Sequence, residues 1–299
     1  MANARALDKR RKSIRNIRKI TRTMELIATA RYRKAMDRAT AATDYTQRIT
    51  KLVADLSSSG AQAEHPLLEL HEPAKSGTVL VLSANRGLCG GYNGNVVRAA
   101  VATCEKLTAA NDESNGLQLR VEVAGKRGIS ALRYRNVTVD HAYTQFDDEP
   151  GYAEVEAIAD QYIDAYTRGE IDRLDVVYTR FLSISKQEAV TETLLPFKPA
   201  DTDDSSKGSA AGEMEYEFYP SAASILAEIV PMSFRVKLFK CFLDAAVSEQ
   251  IARMVAMKSA TENAEDMIKH LSMTYNRARQ SQITNEIMEI IGGSEALSG

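Results

Sequence analysis

Tryptophan is absent from this sequence, and cysteine, histidine and proline are scarce, at three, four and seven residues. Each scarcity removes a class of function. Cys89, Cys104 and Cys241 are scattered, form no CxxC pair and have no histidine at ligand spacing, so a zinc site has no basis. Their odd number, together with the lack of a secretory leader, points to reduced thiols in a cytosolic compartment. The charged opening NARALDKRRKSIRNI has no apolar core of the kind a signal peptide needs. Its arginines resemble those of a mitochondrial presequence, but it runs unbroken into a long periodic segment and is read as mature structure. No apolar run approaches the roughly 20 residues of a membrane-spanning helix. His65, His71, His141 and His270 stand in unrelated contexts, and no serine or cysteine carries a nucleophile signature.

A second absence is more informative. Neither proline nor glycine occurs between Ala2 and Ser57, or between Pro231 and Gly292. Steps of three and four through the first stretch give Ile14, Ile17, Thr21, Met24, Ala28, Arg31, Ala35, Arg38, Ala42, Tyr45, Ile49, Leu52 and Leu56. This is a heptad seam, apolar at its ends and small in its middle, where a partner helix can approach closely. Ile251, Met254, Ile268, Leu271, Tyr275, Ala278 and Gln282 mark a less regular stripe in the second stretch. Helices of roughly 55 and 60 residues extend about 80 and 90 Å at 1.5 Å per residue. A helix that long must pack on something equally long, so the spacing predicts an antiparallel coiled coil of the two termini. Intermolecular pairing of each helix is the weaker alternative, because the two lengths match.

The middle of the chain alternates differently. GTVLVLSA, LRVEVAGK and LDVVYTRFLS are short β-branched runs, whereas NVVRAAVATCEKLTA and YAEVEAIADQYIDAYTRGEI have helical patterns. That alternation predicts a parallel or mostly parallel sheet with crossover helices. KPADTDDSSKGSAAGEMEYE is acidic and rich in serine and glycine, as expected of a surface loop or linker. The resulting division is an N-terminal shaft helix at 1–60, an α/β domain at 76–200, an acidic linker at 201–220 and a C-terminal shaft helix at 221–299.

Two features invite a ligand. SANRGLCGGYNGN, Ser83 to Asn95, follows a strand-like run and precedes a helix, an arrangement suited to anions. It lacks the lysine of a phosphate loop, however, and its G-x-x-G-G-x-x-G spacing departs from the dinucleotide fingerprint. A tight strand-to-helix turn is the better reading, with a nucleotide-binding α/β enzyme as the alternative. Residues 1–38 carry 13 Lys and Arg against 3 Asp and Glu, about +10, while the remainder carries 25 against 37. Such an arm suits nucleic acid or an acidic protein partner, and composition leaves these two even. No aromatic precedes Tyr32 to stack on bases.

SIRNIRKITRTMELIATARYRKA (Ser13–Ala35) and ATENAEDMIKHLSMTYNRARQSQITNEIMEIIGGSEAL (Ala260–Leu297) closely resemble the two ends of the gamma subunit of F-type ATP synthases. SEQIARMVAMKSATENA extends the resemblance upstream, SANRGLCGGYN is similar to that family's central domain, and LLPF at Leu194–Phe197 also fits. The resemblance implies an α/β plus all-α fold: a long antiparallel coiled coil of the N- and C-terminal helices with an inserted Rossmann-like α/β domain. It implies a central-stalk rotor without catalytic residues, cofactor or metal, carrying torque between a membrane ring of c subunits and a catalytic ring of alpha and beta subunits. The epsilon subunit is a further implied partner. Nucleic acid is not, and the membrane is met only through the complex, from the cytoplasmic face of a bacterial inner membrane. By the same resemblance Met24, Arg253, Arg279, Gln280, Thr284 and Glu286 contact an acidic loop region of beta. Ile283, Ile287, Met288 and Ile290 would form an apolar tip running in a sleeve of the ring. Arginine forks, amides and hydroxyls suit a contact that must exchange partners. The cysteine pair of plant chloroplast members has no counterpart among the three cysteines here, so no thiol switch is expected.

Overall fold

The computed structural model describes residues 4–58, 65–109, 117–146, 149–197 and 222–298. The acidic linker expected at 201–220 lies outside the described residues. In chain order the elements are α1 (Ala4–Ser58), a short 3-10 turn at Pro66–Leu68, β1 (Ser76–Leu82), α2 (Tyr92–Ala109), β2 (Gln118–Ala124), α3 (Lys126–Tyr134), β3 (His141–Tyr143), α4 (Tyr152–Thr167), β4 (Arg173–Phe181), β5 (Gln187–Leu195) and α5 (Ala222–Ser298). The chain divides into two compact units. One holds residues 4–30 with 253–298, the other residues 31–252.

In the first unit α1 and α5 run antiparallel. Arg11 lies over the ring of Tyr275 at 4.7 Å, Arg18 meets Glu265 at 3.5 Å and Thr21 meets Thr261 at 2.9 Å, so residue numbers fall on one helix as they rise on the other. Ala28 is buried on α1, and Met257, Thr261, Ala264 and Leu271 on α5. The seam departs from the sequence expectation at alternate positions. Thr21 and Ala28 lie on it, but Ile17 and Met24 remain 47% and 36% exposed, and the Glu25 side chain takes the inner place at 12%. Size explains the place of Thr21 and Ala28, while Glu25 turns inward with its carboxylate paired to Arg22 at 2.8 Å. Close approach selects small side chains for the line of contact, whereas a heptad count is drawn towards the large apolar ones.

The second unit is a five-stranded sheet of order β3-β2-β1-β4-β5, parallel except for the antiparallel pair β4–β5. β1 alternates its side chains between two layers, as strand geometry requires. Val79 and Val81 join Val96, Val97 and Ala100 of α2 and Ile129 and Leu132 of α3. Leu80 and Leu82 face Val155, Ile158 and Ala159 of α4 and Phe234, Leu238 and Phe242 of α5. Each fully buried aliphatic contributes about 1.5–3 kcal/mol of transfer free energy. Ala35 and Ala39 of α1 pack with Leu243, Val247 and Ile251 of α5. Pro231 lies inside α5 rather than before it. Its missing N–H is tolerated because Leu226 and Val230 before it and Phe234 after it are all held in the core.

Candidate partner-contact site

The glycine-rich stretch leaves β1 at the point where strand order reverses between β1 and β4, the place where an open α/β sheet usually binds its ligand. Here the loop closes on itself. The Ala84 amide donates to Asn93 Oδ1 (3.0 Å), the Asn93 side-chain amide to Cys89 Sγ (3.0 Å), and the Tyr92 amide to the Cys89 carbonyl (3.2 Å). Leu88 and Gly90 take positive φ, 65° and 55°, to make the bend. The chain's own α5 lies over the crevice. The Tyr92 hydroxyl donates to the Ala245 carbonyl and the Ser248 hydroxyl to the Thr179 carbonyl, both at 3.2 Å. Phe242, Ala245, Ala246 and Glu249 of α5 face Leu82, Ser83 and Gly125 across what space remains. The stretch is a strand-to-helix turn beneath a helix, and the Ala84 and Tyr92 amides are spent on its own turn.

The side chains with contact chemistry lie in the unit of residues 4–30 and 253–298. Met24 is partly exposed on α1, beside Arg22, which donates to Glu25 at 2.8 Å. Arg18, Lys19, Arg22 and Lys258 share a groove with Glu25, Glu262 and Glu265. Arg253 differs from the others, being only 9% exposed, so its own chain covers most of it. Arg279, Gln280, Thr284 and Glu286 are all exposed on α5. The Thr284 hydroxyl donates to the Gln280 carbonyl at 3.0 Å, and Glu286 accepts from Gln282 at 2.9 Å. Arg279, Ile283, Glu286 and Ile290 follow one another by four, three and four residues and so share a helix face.

Residues 279–294 of α5 are exposed without exception. They include Ile283 at 46%, Ile287 at 50%, Met288 at 63% and Ile290 at 72%. Sequence reasoning missed other exposed apolar side chains in the same unit, namely Ile20, Leu26 and Ile27 on α1 and Val255, Met267 and Met273 on α5. Their signal was present. A helix apolar on more than one face needs more than one partner, and the antiparallel helix covers only one.

Fold and surface together define a class: a two-helix unit and a sheet unit with its crevice closed, presenting apolar surface that nothing among the described residues covers. Comparison with known proteins gives the family. The ATP synthase family matches residues 3–297. The ATP synthase gamma chain of Rhodopirellula baltica is 62% identical over 301 residues, and that of Leptospira biflexa 38% over 298, each alignment covering all of both chains. A chain in the structure of the Euglena gracilis mitochondrial ATP synthase OSCP/F1/c-ring has the same fold, with a TM-score of 0.66 at 17% identity over 98% of this chain and 94% of that one. The chain belongs to the ATP synthase gamma-chain family. It is the central-stalk subunit and not a catalytic one. It is peripheral to the membrane, and no helix among the described residues is long and apolar enough to cross one.

Proposed function

We propose that this chain turns as a shaft between a membrane ring of c subunits and a catalytic ring of alpha and beta subunits, with epsilon bound beside it. The observation that carries this reading is the exposed apolar surface of residues 279–294, which suits a helix end held inside a protein sleeve. Ile283, Ile287, Met288 and Ile290 would run in that sleeve. Met24, Arg279, Gln280, Thr284 and Glu286 would meet an acidic loop of beta, with Arg253 as the covered member of the set. A shaft whose faces differ binds each beta conformation with a different free energy, and only such a difference can shift their populations. Ion flow would turn the shaft, and the shaft would move each beta subunit in turn among conformations of different nucleotide affinity. The N-terminal helix 1–60, the α/β domain 76–200, the linker 201–220 and the C-terminal helix 221–299 are the working parts of this reading. The complex would sit on the cytoplasmic face of a bacterial inner membrane.

Reconstituting alpha and beta subunits with and without this chain tests the proposal. Cooperative ATP hydrolysis that depends on the chain is expected, and equal turnover in both mixtures would overturn it. Equilibrium dialysis of the isolated chain against ATP and NAD should show no specific binding.

A further inference from the structure

Within the unit of residues 4–30 and 253–298, three side-chain contacts crossing from α1 to α5 differ in how much displacement they tolerate. Arg18 and Glu265 are nearly half exposed and 3.5 Å apart on long, flexible stems, so the pair follows a slide of an ångström at little cost. The Arg11 guanidinium over the Tyr275 ring at 4.7 Å has a broad minimum. Thr21 and Thr261 are different. Both side chains are short and β-branched, which stiffens χ1. Their hydroxyl oxygens are 2.9 Å apart, and Thr261 is 7% exposed.

Each hydroxyl is also tied to its own backbone, Thr21 to the Arg18 carbonyl at 3.1 Å and Thr261 to the Met257 carbonyl at 2.8 Å. Three contacts share two hydroxyl protons; if both were donated to their own backbones, two oxygens would face each other unbonded at 2.9 Å, so two arrangements remain. Thr261 donates to Thr21, which donates to Arg18; or Thr21 donates to Thr261, which donates to Met257. Either way the crossing bond persists and ends on a helix backbone. A slide of about 2 Å along the helices stretches a 2.9 Å bond lying across them to about 3.5 Å, past the hydrogen-bond range. The apolar neighbours Ala28, Met257, Ala264 and Leu271 resist separation, but their attraction is non-directional and resists sliding weakly.

We propose that the Thr21–Thr261 hydroxyl pair is a shear tie that makes the two helices bend as one beam. Two rods free to slide bend separately and are far more compliant than the same rods bonded along their contact. A shaft that presses sideways on its neighbours in turn carries a bending load, so the tie is a positioning element for coupling. This consequence rests on the rotor reading above, whereas the tie itself does not.

The test uses the assembled complex with the half-buried thiol removed by Cys104→Ser and spin labels placed at the exposed positions Asn16 and Lys269. Thr21→Val and Thr261→Val keep volume and branching but remove the bond. Each should broaden the interlabel distance distribution and lower the number of ions pumped per ATP hydrolysed, while Thr21→Ser keeps the wild-type width and ratio. The double valine variant should be no broader than either single one, because a single bond is lost in all three. Valine variants as narrow as wild type would overturn the tie, and broadened variants with an unchanged pumping ratio would overturn its role in coupling. A wild-type complex that hydrolyses ATP without pumping would instead overturn the rotor reading, with the distance result still deciding the tie.

Discussion

Asp172 fastens the entrance to β1. Its carboxylate accepts from the amides of Lys75 (2.8 Å) and Ser76 (2.9 Å), from the Ser76 hydroxyl (3.2 Å), and lies 3.0 Å from His71 Nδ1. Burial alone would raise its pKa, but the two amides, the His71 ring and the hydroxyl outweigh it and hold the carboxyl below its ordinary 3.8. A depressed acid adds stability above its unfolded pKa and loses it as pH falls through the folded value. Asp172→Asn should therefore cost about 1–3 kcal/mol at pH 7. The gap to wild type should hold at neutral pH and close in acid, as read by urea melts across pH. Met24 gives a contrasting prediction. It is partly exposed, so Met24→Lys should leave the melting temperature of the chain nearly unchanged. In the complex the added cation should lower pumping per ATP, and normal pumping would count against the proposed contact. At this scale the sequence was informative by resemblance more than by pattern. The burial of Arg253 depends on side chains brought from elsewhere in the fold, which spacing along one helix does not reveal.

Elements were legible where one period runs for many turns. α1 begins and ends within a few residues of the span that the absence of proline and glycine marked out, since helix breakers are the strongest local signals. Short elements were harder. α3 has nine residues and β3 three, too few for a period to declare itself, and β5 reads QEAVTETLL, an edge strand whose pattern is half polar. β5 pairs antiparallel because it follows β4 through a tight turn, closed by the Lys186 amide on the Ser183 carbonyl at 3.1 Å. The β2–α3 connection turns on Gly125, at φ 102°, where a Cβ would collide with the Ser83 carbonyl. Gly125→Ala should destabilise the fold by about 2 kcal/mol or more, since it adds a clash to a conformation L-residues avoid. A melt indistinguishable from wild type would show that the bend relaxes.

For the whole molecule, charge and exposed apolar surface are distributed as an assembly subunit requires. Residues 1–38 carry about +10 on a chain whose net charge is −2, and the apolar side chains left uncovered cluster in the unit formed by the two helix ends. The sheet unit keeps the topology of a nucleotide-binding fold but places α5 over the crevice, so fold and function separate here, as they do in many α/β proteins. The sequence pointed to this through the missing lysine and the wrong glycine spacing. It could not show what fills the crevice, because Ala245, whose carbonyl accepts from the Tyr92 hydroxyl, lies 153 residues further along the chain. A rotor must move relative to the catalytic ring. Tyr134 is 89% exposed, so a probe attached at Tyr134→Cys disturbs no packing. With the alpha and beta ring fixed to a surface and ATP supplied, the probe should turn continuously in one direction and stop when ATP is withdrawn. A probe that stays fixed while the same complexes hydrolyse ATP would contradict the rotor reading.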